Sequence, residues 1–192
     1  ILLNSGVIAM EGLPEQVMDY YNALIAEREN PTVKTELTDQ GKMQTSSGTG
    51  EATITELRLL NEKNEPIELA DVGQKVRLAM TVNILKGINE LVLGYVIKDR
   101  LGQSVFGINT HRLQKTLRQL RQGERIKYQF DFALNLGEGS YSISVALHAG
   151  DSHLVANYEW HDLALVFSVI NINKEQFVGV AWLPPKLRCT RE

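Results

Sequence analysis

Gly139-Ser140-Tyr141-Ser142-Ile143-Ser144-Val145-Ala146-Leu147-His148 is the stretch that decides the fold. Tyr141, Ile143, Val145 and Leu147 alternate with Ser142, Ser144 and His148. Successive side chains of a strand point to opposite faces, so this period of two describes a strand with one apolar face and one polar face. The pattern recurs on both sides of it. Val76, Leu78, Met80, Val82 and Ile84 are interleaved with Arg77, Thr81 and Asn83. Ile126, Tyr128, Phe130, Phe132 and Leu134 are interleaved with Lys127, Gln129 and Asp131. Turn residues punctuate the runs at Asn64–Pro66, Gly87, Gly102 and Gly137–Gly139, and Asp99-Arg100-Leu101-Gly102 is a tight-turn sequence. These features predict a mainly β chain folded as an immunoglobulin-like antiparallel β-sandwich, with seven to eight strands in two sheets. Tyr141, just after Gly139, is placed to form a tyrosine corner.

Working outward, the chain divides into three segments. Residues 51–192 carry the sandwich pattern. Residues 31–50 have few large apolar side chains and end in Thr45-Ser46-Ser47-Gly48-Thr49-Gly50, the composition of a linker. Residues 1–30 read as a hairpin, Leu2-Leu3 and Val7-Ile8 around Asn4-Ser5-Gly6, followed by a helix opening at Gly12-Leu13-Pro14. Its apolar stripe, Val17, Met18, Tyr21, Leu24 and Ile25, needs a partner surface that this short segment lacks.

Two stretches depart from the strand pattern. His111–Gln122 places Leu113, Leu117 and Leu120 at helical spacing, with Arg112, Lys115, Arg118 and Arg121 at every third position. A short helix is expected there, its basic stripe available to an anionic group or a partner, although most charged faces are simply solvated. Phe177–Leu183 is apolar on both faces and is closed by Pro184-Pro185. It is expected to be a terminal strand that either closes its own sheet or is exchanged between protomers of a homodimer.

Composition excludes several classes. A net charge of -3 with 22% charged residues is not that of a nucleic-acid binder. No apolar run approaches the roughly 20 residues of a membrane span. The single cysteine, Cys189, permits no internal disulfide, as in a reducing compartment. Ile1 is not a methionine and no signal peptide follows it, so a natural N-terminus upstream is expected.

His148, Asp151, His153 and His161 match no zinc spacing, and no metal or other cofactor is implied. Glu159 and Asp162 are not distinguished from other acids as a hydrolytic pair, and no serine lies in a Gly-x-Ser-x-Gly setting.

Ile1-Leu2-Leu3-Asn4-Ser5-Gly6-Val7-Ile8, Glu11-Gly12-Leu13-Pro14-Glu15-Gln16-Val17 and Tyr20-Tyr21 together resemble the end of an ABC transporter nucleotide-binding domain. Gly94-Tyr95-Val96-Ile97-Lys98-Asp99, Gly102, Val105-Phe106-Gly107, Asn109-Thr110 and the stretch Gly139–His148 are similar to the C-terminal domain of O-antigen polysaccharide exporters' ATP-binding subunits, of Wzt type. The resemblance implies a carbohydrate-binding sandwich that selects finished O-antigen polysaccharide at the cytoplasmic face of the bacterial inner membrane. It also implies homodimerisation and a membrane permease as partner. No Gly-x-x-x-x-Gly-Lys-Ser/Thr loop or Walker B setting occurs, so ATP hydrolysis by this chain is not expected.

On an immunoglobulin-like pairing, Lys98, Asn109, Ser142, Ser144, His148, Asn157, Glu159 and His161 are expected on the outer face of one sheet, as candidate sugar-binding residues. Trp160 and Trp182 are the candidate stacking aromatics. The alternative is that such polar residues are merely solvated and the tryptophans are core. The domain would then dimerise the ATPase or dock the permease without touching sugar.

Overall fold

The computed structural model describes residues 1–4, 6–12, 14, 17, 21, 34–37, 43–150 and 156–191. It is a β-sandwich. Strands β1 (Leu2–Asn4) and β2 (Val7–Met10) form the expected N-terminal hairpin. The helix expected from Pro14 onward lies largely outside the described residues. The stretch read as a linker contains β3 (Lys34–Leu37) and β4 (Met43–Ser47), paired with each other.

The remaining strands are β5 (Ala52–Leu60), β6 (Leu69–Asp71), β7 (Lys75–Ile84), β8 (Ile88–Asp99) and β9 (Ser104–Asn109), then β10 (Leu117–Leu120), β11 (Arg125–Ala133), β12 (Gly139–Ala149) and β13 (Ala156–Ile170). One sheet has three strands in the order β11-β7-β5. The other has eight, running β10-β8-β12-β13-β4-β3, with β9 also on β8 and β6 also on β13. The seven strands of six residues or more match the expected number. Short strands, which periodicity over four residues or fewer cannot reveal, supply most of the excess. Among the described residues all strand pairings are antiparallel except β6 with β13.

The alternation pays out as burial. Val76, Leu78, Met80, Val82 and Ile84 of β7 face Leu91, Leu93, Tyr95 and Ile97 of β8 and Tyr141, Ile143, Val145 and Leu147 of β12 across one core. Tyr95 packs edge-on against Phe130, ring centroids 5.1 Å apart, joining the two sheets. The tyrosine corner is present: the Tyr141 hydroxyl donates to the Gly137 carbonyl at 2.9 Å. The Asp99–Gly102 turn also forms, with the Asp99 carboxylate accepting from the amides of Leu101 and Gln103, both at 2.9 Å.

The structure corrects two sequence expectations. His111–Gln122 is not a helix. Residues 110–114 form a turn, and β10 pairs Leu117 with Leu91 and Leu120 with Ile88. A helix there would leave this part of the β8 edge without backbone partners. Gln114 and Gln119, at φ 57° and 55°, sit in the left-handed region that a helix excludes. The four basic residues therefore share no helical face. Phe177–Leu183 is not a strand. Gly179 at φ 115° breaks the extended path, and only Ala181 bridges, to Leu136. The segment folds back on its own sandwich through the Gly137 amide to the Val180 carbonyl (3.1 Å) and the Trp182 amide to the Asn135 carbonyl (2.9 Å). Among the described residues no helix is long and apolar enough to cross a membrane.

Candidate functional site

Because Leu93, Tyr95, Ile97, Val145 and Leu147 point into the core, their neighbours Gly94, Val96, Lys98, Ser144, Ala146 and His148 lie on the outer face of the large sheet. Register then aligns four residues from four strands in one transverse row. Asn109 of β9 faces Gly94 of β8, Gly94 faces Ala146 of β12, and Ala146 faces Trp160 of β13. Two tall side chains thus flank two of the smallest. Three interstrand spacings make the row about 14 Å wide.

The result is a cleft of about 300 Å³ over this row, lined also by Val96, Gly107, Arg112, Ser144 and His148. Gly94 and Gly107 are not there for a special backbone conformation, since neither has positive φ. Each lies inside a strand, where glycine is unfavourable, and each keeps the floor low. A Cβ on Gly94 would meet the Asn109 Cβ at 3.2 Å, and one on Gly107 would meet the Val96 Cγ2 at 3.2 Å.

The wall at Trp160 is braced. Lys98 Nζ lies 2.7 Å from Asp162 Oδ1, and each side chain is only 16% exposed. The Ser144 hydroxyl donates to the same carboxylate oxygen. The ammonium sits 6.0 Å from the centroid of the Trp160 ring, at the outer limit of a cation–π contact. At the opposite wall the Asn109 carboxamide oxygen accepts the Arg112 amide at 2.8 Å. Its amide nitrogen is left as the donor at the cleft.

Of the residues singled out from sequence, Asn109, Ser144, His148 and Trp160 line this cleft, as does Arg112 of the basic set. Lys98 and Ser142 face each other farther along the same face, and Asn157 lies opposite His148. Glu159 and Trp182 do not join them, nor does His161. Glu159 pairs with inward-facing Leu147 and His161 with inward-facing Val145, so both lie on the core side of β13. There Glu159 accepts from the Thr53 hydroxyl (2.6 Å) and the Ile54 amide of β5. His161 Nε2 lies 3.2 Å from Glu159 Oε1. Burial pushes the Glu159 carboxyl up, but hydrogen bonds from His161, Thr53 and Ile54 outweigh it and hold it below its ordinary value. The hydrogen bond to Glu159 raises His161, against the opposing effect of burial. Trp182 packs on Phe177 with centroids 5.0 Å apart, near Gly73 and Asn135 at the end of the sandwich. Lys115, Arg118 and Arg121 are not part of the cleft lining, and Arg118 lies opposite Glu90 in the β10–β8 register.

Sequence reasoning did not assign the floor, Gly94, Gly107 and Ala146, or the brace residue Asp162 to a binding site. The legible signal for the floor was glycine inside two alternating strands. Among the described residues no group of three or more His, Cys, Asp or Glu is placed to hold a metal ion.

Comparison with known proteins gives a family match described as Wzt C-terminal domain over residues 43–183. A crystal structure of the C-terminal domain of Wzt superposes with a TM-score of 0.68 at 18% identity, covering 77% of this chain and 89% of that one. A Niemann-Pick type C2 protein from Japanese carpenter ant gives a TM-score of 0.46 at 10% identity, over 65% of this chain and 98% of that one. No curated protein matches the sequence.

Proposed function

The chain belongs to the Wzt C-terminal domain family of O-antigen exporters, and on that premise we propose that the cleft over Gly94 and Ala146 binds the exported polysaccharide. The family's domain is non-catalytic, so the work assigned to the cleft is recognition. The observation that carries the reading is the row Asn109–Gly94–Ala146–Trp160. A sugar ring has an apolar C–H face and a rim of hydroxyls. It needs an aromatic plane on one side, planar hydrogen-bonding groups at the edge and no bulk beneath. Trp160 offers the plane, Asn109 a polar edge and the glycine floor the space, while Ser144 and His148, both buried, complete the lining.

In this reading the domain selects cargo for ATP-driven export, in the cytoplasm and beside the inner-membrane permease that the full transporter engages. Homodimerisation belongs to the same proposal. The second reading, an assembly or permease-docking domain without glycan contact, draws support from Val178, Leu183 and Leu187, which are exposed apolar residues in the terminal segment.

The test is titration of the chain with the source organism's O-polysaccharide, against an unrelated polysaccharide of similar size. Selective, saturable binding that is lost in Trp160→Ala and His148→Ala, with the oligomeric state unchanged, supports cargo recognition. Absence of binding by a stably associated chain supports the assembly reading instead.

A further inference from the structure

The charge of the cleft is one-sided. Among the described residues lining it there is no aspartate or glutamate, and Arg112 is its one lysine or arginine. Lys98, the next cation on the same face, is already paired with Asp162 at 2.7 Å. Arg112 is exposed, and among the described residues its guanidinium has neither an ion pair nor a side-chain hydrogen bond.

Its backbone, by contrast, is held firmly. The Arg112 amide donates to the Asn109 side chain at 2.8 Å, and the Lys115 amide donates to the Thr110 carbonyl at 2.7 Å. Thr110 is buried, and its hydroxyl oxygen accepts the Leu93 amide at 3.0 Å. The turn between β9 and β10 is thus rooted in the sheet. It brings an uncommitted, permanently charged fork to the wall of the cleft across from Trp160. A guanidinium is more weakly hydrated than an ammonium and matches the two oxygens of a carboxylate or phosphate. With no carboxylate among the described residues of the lining, that fork is available to a ligand.

We propose that the glycan bound in this cleft carries an anionic substituent, a carboxylate or a phosphate ester, and that Arg112 is the residue that reads it. The proposal rests on the glycan reading of the cleft.

The experiment is an NMR titration of the full chain, following the Trp160 indole N–H and the Arg112 side-chain N–H. The probes are methyl β-D-glucopyranoside, methyl β-D-glucuronide, glucose 6-phosphate and inorganic phosphate. The expected result is that an anionic sugar binds roughly fivefold tighter than the neutral one, the upper range for one exposed ion pair. That advantage should vanish in Arg112→Gln, persist in part in Arg112→Lys and shrink with added salt. Preference between glucuronide and sugar phosphate distinguishes the two sources of charge. Equal binding of neutral and anionic sugars at Trp160, unaffected by Arg112→Gln, overturns the anionic substituent and leaves the glycan reading standing. If inorganic phosphate moves Arg112 while no sugar moves Trp160, the glycan reading falls instead. No response to any probe overturns both.

Discussion

Lys98 and Asp162 form an ion pair at 2.7 Å on the outer face of the large sheet, with Ser144 bonded to the same carboxylate. Each side chain is 16% exposed, so the pair is largely desolvated. Removing one partner of such a pair strands the other charge and typically destabilises by about 3–5 kcal/mol, whereas replacing both with apolar groups of similar volume is often neutral. Lys98→Met should therefore unfold at markedly lower denaturant than Lys98→Met/Asp162→Leu. If the single variant is as stable as the double, the pair is not the brace described here.

The tyrosine corner gives a second prediction, with an internal control. The Tyr141 hydroxyl has a partner in the Gly137 carbonyl. The Tyr128 hydroxyl is buried with no hydrogen-bond partner, and burial pushes its pKa up to about 12. Tyr141→Phe should destabilise by about 1 kcal/mol or more, because it also orphans a buried carbonyl, while Tyr128→Phe should be neutral or stabilising. Equal losses in chemical denaturation of the two variants would contradict this contrast.

The floor of the cleft can be tested without touching its polar groups. Gly94→Ala places a methyl group 3.2 Å from the Asn109 Cβ, which must yield by a few tenths of an ångström. Its φ is not positive, so no backbone strain accompanies the change. Glycan affinity should fall at least roughly tenfold, about 1.4 kcal/mol, with the thermal midpoint almost unmoved. Undiminished binding by Gly94→Ala would place the ligand elsewhere.

The Glu159–His161 pair predicts a pH dependence. Glu159 titrates below its ordinary 4.5 in the folded chain, so its contribution is present above that value and lost as pH falls through the folded pKa. His161 titrates above its ordinary 6.5, so its contribution is complete below 6.5 and lost as pH rises through the folded pKa. The pair therefore holds β13 to β5 best between these values. The stability difference between the native chain and His161→Gln should be largest near pH 5.5 and smaller at pH 8. A difference that grows with pH would reverse the assignment.

Much of the architecture was legible because alternation is a local signal. The inward sets of β7 and β12, the Asp99–Gly102 turn and the Tyr141 corner follow from residues a few positions apart. The helix expected at His111–Gln122 failed because Leu113, Leu117 and Leu120 satisfy a helical spacing in isolation, whereas the unpaired edge of β8 draws Leu117–Leu120 into the sheet. Tertiary hydrogen bonding overrode a local period. Phe177–Leu183 failed for a related reason: apolar composition reports burial or contact, not extension, and Gly179 turns the chain.

The candidate site was only half legible. Asn157, Glu159 and His161 share a parity, and simple alternation puts all three on one face. The register shifts by one residue between the pairs Leu147–Glu159 and His148–Asn157, so Asn157 stays outward with His148 while Glu159 and His161 turn to the core side. A one-residue slip exchanges the faces of every side chain beyond it.

The sequence by itself determined which residues share a strand face, where the turns fall and that two apolar-faced sheets must close on one core. Those properties depend on the two-residue repeat of an extended chain and on what glycine, asparagine and proline permit locally. Only the tertiary structure decided that Asn109, Gly94, Ala146 and Trp160 stand in one row, and that of Arg112, Lys115, Arg118 and Arg121 it is Arg112 that lines the cleft over it. Strand order, register and bulge position are set by pairing between segments far apart in the chain, where each ladder is chosen by the backbone groups and core volume that all the others leave to be satisfied.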